Sequence, residues 1–271
     1  MKGLSLGEKT EYASEYDKSL LFPIPRLSKR KEIGINSETL PFFGSDLWTA
    51  YEISWLDLKN KPQVAIGVFY IDCNSTNIIE SKSLKLYLNS FNNTCYTSSE
   101  EVKKIISSDL SEATNNKVDV TLYSLHEYST KIYTSLPGKN IDNLDIYCDI
   151  SSPSKNILKT GTTETEEIIT SDLLKSNCLV TNQPDWASVM IQYKGKKINH
   201  ESLLKYIISY RNHNEFHEQC VERIFIDIMN ACKPNELTVY ARYTRRGGID
   251  INPFRTNVKN KQIEDCRLVR Q

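Results

Sequence analysis

Cys178 and Asp185 bracket a turn, and a thiol beside a carboxylate is a pair that can do covalent chemistry. In Leu174-Lys-Ser-Asn-Cys178-Leu-Val-Thr-Asn-Gln-Pro-Asp185-Trp186 a short apolar strand is interrupted by Asn182-Gln183-Pro184, and proline cannot continue a central ladder. A thiolate at the mouth of that turn can attack an electrophilic carbon while the acid passes protons to the atom that gains charge. The plainer reading is a small core cysteine and a turn-forming aspartate. Glu80 and Glu218 are carboxylates that can each accept two hydrogen bonds, matching the N1–H and 2-amino edge of a guanine-like ring. A site that buries them for this purpose rejects a ring lacking those donors by ~10⁴-fold, because its charges are left unpaired. As plain first-turn carboxylates they would only complement a helix dipole. His217, next to Glu218, reads as a member of the same site or as an ordinary hydrogen-bonded histidine. Ser81, Lys82 and Lys85 at a helix start, and Arg242, Arg245, Arg246 and Gly247 farther on, are either phosphate contacts or solvated side chains. No G-x-G-x-x-G occurs, so spacing alone implies no dinucleotide.

These groups must be held by regular elements. From Trp186 the run alternates, with Ala187, Val189, Ile191 and Tyr193 against Ser188, Met190 and Gln192, which predicts a strand with one buried face. Strands are also predicted over 47–58, 63–72 and 118–124. Leu84, Tyr87, Leu88 and Phe91 have helical spacing, so Glu80 to Lys82 fall at a helix N-terminus. A second helix is predicted over 98–110, with Ser98 or Ser99 as N-cap and Glu100-Glu101 in its first turn. Phe216, Cys220, Ile224 and Ile228 recur every four residues as a core-facing stripe, with His217 and Glu218 off it. Residues 1–45 read as an N-terminal arm kept extended by Pro23 and Pro25, and the following Arg26, Lys29, Arg30 and Lys31 as a solvated charge run. Residues 151–171 read as a polar connector between a first module over 46–150 and a second over 172–271.

The second module repeats the first. Ser83-Leu84-x-x-Tyr87-x-x-Ser90-Phe91-x-Asn93 recurs as Ser202-Leu203-x-x-Tyr206-x-x-Ser209-Tyr210-x-Asn212, every position shifted by 119 (202 − 83 = 212 − 93). The same shift carries Val118–Leu122 onto Leu237–Ala241. It sets Cys178 against Lys59, Asp185 against Ile66 and Glu80 against Asn199, so each copy has kept different polar residues. One site assembled where the copies pack together explains that division; drift explains it otherwise. Each half reads strand, strand, helix, helix, strand: an α+β architecture of antiparallel sheet with two helices on one face.

Composition narrows the function. The 34 Lys+Arg equal the 34 Asp+Glu, and a protein that grips a nucleic-acid backbone normally carries a basic excess. The seven cysteines are scattered and odd in number, with no C-x-x-C pair, which supports neither a disulfide framework nor a zinc site and suits a reducing compartment. The first ten residues hold no apolar signal core, and the longest apolar run, 64–71, is too short to cross a bilayer. The expectation is a soluble, cytoplasmic protein with no nucleic-acid or membrane partner and no metal.

Several blocks resemble one family. Glu80-Ser-Lys-Ser-Leu-Lys-Leu-Tyr87, Lys175-Ser-Asn-Cys178-Leu-Val-Thr-Asn-Gln-Pro-Asp185-Trp186, Phe216-His-Glu-Gln219 and Arg242-Tyr-Thr-Arg-Arg-Gly-Gly-Ile-Asp-Ile-Asn-Pro253 are similar to the motifs of the QueF family, the NADPH-dependent 7-cyano-7-deazaguanine reductases, in its long two-module form. Leu21–Arg26 and the stretch from Leu47 to Asp57 are similar to it as well. The resemblance implies tandem tunnelling-fold (T-fold) modules, a homodimer, and reduction of a nitrile to a primary amine on the way to the queuosine of tRNA. It implies that Cys178 adds to the nitrile carbon to give a thioimide, that Asp185 supplies protons, and that two NADPH are used in succession. It further implies that Glu80, Glu218, His217 and the main chain of Ile79 and Ser81 hold the base, and that Ser81, Lys82, Arg246 and Gly247 contact NADPH. The rival expectations are another T-fold enzyme acting on a purine or pterin ring, which would need a zinc site, and a non-catalytic purine-binding module.

Overall fold

The computed structural model describes Ala13 and residues 15–36, 39–129, 134–148 and 152–271. Much of the expected arm (1–12, 14, 37 and 38), including the stretch scanned for a signal core, lies outside the described residues, as do 130–133 and 149–151. In chain order the elements are β1 (Pro23–Pro25), α1 (Arg26–Glu32), β2 (Phe43–Leu56), β3 (Pro62–Asp72), β4 (Asn77–Ile79), α2 (Ser81–Asn89), α3 (Ser99–Thr114), β5 (Val118–Tyr123), α4 (Leu125–Ser129), β6 (Lys139–Asn140), β7 (Thr160–Asn177), β8 (Pro184–Ile198), α5 (His200–Ile208), α6 (His217–Cys232), β9 (Glu236–Tyr243) and β10 (Ile249–Thr256). No helix among the described residues is long and apolar enough to cross a membrane.

The chain divides into two units: Met1–Arg26, Trp48–Thr130 and Arg246–Ile249 make the first, and Leu27–Leu47, Lys131–Arg245 and Asp250–Gln271 the second. They interleave along the chain instead of following one another as expected, because the chain changes unit inside β2 and again inside β10.

In the first unit the strand order is β5-β3-β2, with β3 and β5 antiparallel from Ile66 opposite Tyr123 to Ile71 opposite Val118. Leu84, Tyr87, Val102, Ile106 and Leu110 of α2 and α3 are fully buried. Ser98 caps α3 by accepting from the Glu101 amide, as the sequence predicts, and Asn115 closes it in the left-handed conformation that asparagine tolerates.

In the second unit the order is β10-β9-β8-β7-β6. Along β8, Ala187, Val189, Ile191 and Tyr193 are buried on one face, while Met190 joins Leu136, Tyr240, Phe254 and Leu268 in a separate cluster on the other. The α+β class and the two-helix module are as expected.

The repeat is visible as geometry. Helix α5 lies 119 positions after α2 at both ends (200 − 81 = 208 − 89). Tyr87 donates to Asp109 at 2.6 Å in one copy and Tyr206 to Asp227 at 2.7 Å in the other. The structure also extends the repeat to segments that look unrelated in sequence. Asp17 caps a 3-10 turn over Lys18–Leu20, and the amide of Phe22 then donates to Ser83 Oγ at 3.0 Å. Ser154 caps a matching turn over Lys155–Ile157, and the amide of Lys159 donates to Ser202 Oγ at 3.0 Å. Residues 17–22 of the arm and 154–159 of the connector are thus the same element in two copies.

Two sequence readings need correction. Residues 160–171 are not connector: they begin β7, an 18-residue strand pairing with β8 from Thr160 opposite Ile198 to Asn177 opposite Pro184. Their threonines and glutamates look like linker but suit a half-exposed strand, since threonine is β-branched. The charge run after Pro25 is solvated only in part: Lys31 is exposed and Lys29 half-buried, but Arg26 and Arg30 are buried. Arg30 forms a two-pronged pair with Glu222, at 3.0 and 2.7 Å, and Arg255 holds the same carboxylate while also pairing with Asp46 at 2.8 Å. Glu222→Ala leaves two buried guanidiniums short of an acceptor, which costs about 3–5 kcal/mol; urea unfolding monitored by tryptophan fluorescence measures it, and a loss below about 1 kcal/mol would contradict the network's role.

Candidate active site

Cys178 follows the last residue of β7, and its turn is closed by its own backbone. Its amide donates to Gln183 O at 2.8 Å, and the Asn182 amide donates to Cys178 O at 3.0 Å, with Asn182 at φ +57. Pro184 then starts β8, a position where its missing N–H costs nothing to the ladder. Asp185 faces Ser176 across the strand pair and is buried. Cys178 lies two positions beyond Ser176, so thiol and carboxylate share one end of one hairpin.

A second segment runs alongside. The Asn177 amide donates to His213 O at 2.8 Å and the Glu215 amide to Asn177 O at 3.1 Å, a short parallel bridge. Asn214, in the middle, donates from its side-chain amide to Cys178 O at 3.2 Å and to Asn182 Oδ1 at 2.9 Å. Glu215 is buried and gripped by Arg223 through three contacts of 2.6–3.1 Å, which anchors the segment to α6. Lys175 ties the hairpin to the preceding turn through Asn177 Oδ1 and Arg211 O, both at 2.6 Å. Desolvation, then Arg211, hold the Lys175 ammonium below its usual pKa, and Asp185 opposes them.

That segment delivers the start of α6 to the hairpin. His217 opens the helix, with Nε2 3.3 Å from Asp185 Oδ2 and its ring lying flat on Tyr243 at 3.8 Å between centroids and 3° between planes. The pair is arranged for proton transfer between imidazole and carboxylate. Glu218 follows in the first turn, where the helix dipole favours a negative charge, and it is only 4% exposed. Lying off the four-residue stripe therefore does not put it in solvent. Behind the site Cys220 is fully buried, and desolvation pushes its thiol well above the usual range, so it stays neutral. Cys178, half-exposed at a turn, is the sulfur in this region placed for reaction.

The Glu80 group belongs to the first unit. Ile79 ends β4 and is buried, and Glu80 is the N-cap of α2, its carboxylate accepting from the amides of Lys82 at 3.0 Å and Ser83 at 2.7 Å. The helix start is thereby already answered by a carboxylate, so a phosphate near it depends on side chains rather than on those amides. Arg246 to Ile249 form a tight turn, with the Arg246 amide donating to Ile249 O at 2.9 Å and both glycines at positive φ (+62 and +80). A Cβ on Gly247 would sit 3.4 Å from Lys85 Nζ, and one on Gly248 2.4 Å from the Glu52 carboxyl carbon, so the turn abuts α2 and β2. The turn therefore brings Arg246 and Gly247 beside the helix that carries Ser81 and Lys82. Arg242 leaves the candidate list: it is 1% exposed and held by Gln271, Tyr240 and Asp265. Among the described residues no group of three His, Cys, Asp or Glu is placed to hold a metal ion.

Asn214, Lys175 and Tyr243 were missed as site residues. Lys175 and Tyr243 stand inside the family-like motifs but with no role assigned to them, whereas nothing local marks Asn214.

Comparison with known proteins gives concordant matches. Residues 12–122 match the family model described as nitrile reductase, 7-cyano-7-deazaguanine-reductase N-term, and residues 184–262 match that of QueF-like protein. Cys178 falls between the two ranges. Relatives called NADPH-dependent 7-cyano-7-deazaguanine reductase are 56% identical in Cupriavidus metallidurans, 54% in Ralstonia nicotianae and 53% in Burkholderia multivorans, each match covering 98% of this chain and 97% of the relative. The apo archaeosine synthase QueF-Like aligns at TM-score 0.31 and 17% identity over 35% of this chain and 94% of its own, a superposition too loose to bear on the fold.

Asn214→Ala removes both side-chain bonds to the Cys178 turn. The expected result is a loss of about 1–3 kcal/mol in local stability, read as faster hydrogen exchange at the Asn182 amide; unchanged exchange there would show that the turn does not depend on Asn214.

Proposed function

The chain belongs to the QueF family of NADPH-dependent 7-cyano-7-deazaguanine reductases, and on that footing we propose how its residues divide the work. The protein is an NADPH-dependent nitrile oxidoreductase that converts 7-cyano-7-deazaguanine to its aminomethyl counterpart on the route to queuosine. Cys178 is the nucleophile. The thiol proton passes to Asp185 as the sulfur bonds to the nitrile carbon, one π pair of the C≡N bond moves to nitrogen, and Asp185 returns that proton to nitrogen, giving a thioimide. His217 replenishes and orients that acid. The observation that carries this reading is the convergence of the Cys178 turn, buried Asp185 and the His217 ring at one end of the β7–β8 hairpin.

Glu218 in the second unit, and Glu80 with the main chain of Ile79 and Ser81 in the first, are assigned to recognition of the base edge. A buried, acceptor-only carboxylate such as Glu218 favours a ring with adjacent N–H donors over one without them. Covalent capture holds the carbon still and keeps a reactive imine from water. NADPH supplies hydride when bound, two equivalents per nitrile. Ser81, Lys82, Arg246 and Gly247 fit its phosphates: cationic side chains flank a turn whose glycine leaves room for close approach. Balanced acidic and basic residues support the free base, rather than tRNA, as the substrate. Cytoplasmic residence, supported by the scattered free cysteines, and a homodimer complete the proposal.

Intact mass spectrometry of protein mixed with 7-cyano-7-deazaguanine and no NADPH is expected to show an adduct that is absent from Cys178→Ala. An unmodified wild-type mass at saturating ligand would instead fit a purine-binding module. With cofactor, NADPH consumption is expected at two per amine formed, and a one-to-one ratio would mean that reduction stops at the imine. Asp185→Asn, which keeps the shape and loses the acid, is expected to lower kcat by about 10²–10⁴-fold; kcat within a factor of two of wild type would remove Asp185 from proton delivery.

A further inference from the structure

Strand β9, which ends at Tyr243, parts from β10 before reaching it. Strands β9 and β10 pair at Thr238–Thr256, Val239–Arg255 and Tyr240–Phe254, and among the described residues their register stops at Tyr240. Two amide side chains fill the opening. The Tyr243 amide donates to Asn252 Oδ1 at 3.1 Å, and Tyr243 O accepts from Gln271 Nε2 at 3.0 Å. Gln271 is buried and uses its whole amide: Nε2 also donates to Asn252 Oδ1 at 2.8 Å, while Oε1 accepts from Arg242 Nε at 2.8 Å and the Leu268 amide at 3.2 Å. The main-chain polar groups of Tyr243 are thus fixed by side chains rather than by a neighbouring strand. The ring so fixed is the surface on which His217 lies, and the other contact described for that imidazole is Asp185.

We propose that Gln271 is a positioning residue: with Asn252 it wedges β9 from β10, sets the Tyr243 ring, and through that ring holds His217 in line with Asp185. Only a side chain with both a donor and an acceptor at its tip completes the wedge, since Arg242 requires an acceptor and Tyr243 O a donor. The effect on turnover rests on the proposed role of His217, whereas the effect on the ring does not.

The test uses the full chain carrying Gln271→Met, which keeps length and volume and removes all four bonds, with Gln271→Glu as a second variant that keeps the acceptor and loses the donor. In wild type the His217 imidazole proton signals, identified by their loss in His217→Gln, are expected upfield because they lie over the Tyr243 ring. In either folded variant they are expected to move downfield. The kcat is expected to fall about tenfold with KM within about twofold, and to fall no further when Gln271→Met is added to His217→Ala. His217 signals unmoved in a folded variant would overturn the proposal, and so would losses that multiply in the double variant. Failure of the Cys178 adduct would sink the proposed reaction while leaving the His217 signal as described.

Discussion

The main chain of Asn177 is the knot of the second unit. Its amide and carbonyl both point to the 213–215 segment, whose own carboxylate is locked to α6 by Arg223. The residue is also the last of β7 to face β8. One residue's backbone therefore joins a hairpin end to a helix start. Everything with a proposed chemical role in this unit lies within a few residues of that junction: the thiol one position on, the acid across the strand pair, the imidazole and Glu218 at the head of the helix. A backbone tie is a sound choice for such a junction, because it cannot change rotamer and each bond inside a protein exceeds its worth in water.

The two copies show what duplication conserves and what it releases. Helix starts, the tyrosine–aspartate bond and the 3-10 turn that feeds each first helix recur in both. These features meet obligatory needs: buried hydroxyls require partners and helix ends require caps. The Cys178 turn carries no such obligation in the other copy, where Lys59 stands instead, and the cap that Glu80 supplies is met there by the uncharged Asn199. The scaffold was free to specialise at turns and caps because its core already satisfied itself.

How much of this was readable beforehand follows the range of the forces involved. The hairpin around Asn182-Gln183-Pro184, the Ser98 cap and the α6 stripe are local, and each was legible from a few neighbouring residues. The 119-residue shift was legible because it preserves register. Arg30 was misread because its partner, Glu222, lies 192 positions away, and polarity along the chain carries no record of such a pairing. Strand β7 was misread over 160–171 because a strand with one exposed side looks like linker when its polar residues are threonine and glutamate. Asn214 and Tyr243 act through a backbone bridge and a ring stack, neither of which leaves a sequence pattern. Arg242 looked like a phosphate ligand among its neighbours, yet strand alternation turned it inward to Gln271.

Glu80 carries two duties, and that has a consequence for anyone wishing to retarget the enzyme to other heterocycles. The carboxylate assigned to the base is also the group that terminates α2, so a library randomised at this codon mixes recognition with helix fraying. Alanine or leucine would score as dead for reasons unrelated to selectivity. Restricting the alphabet to aspartate, asparagine, serine and threonine keeps the cap and varies only what faces outward. The sister copy already demonstrates the asparagine solution at position 199, where the same helix begins without the charge.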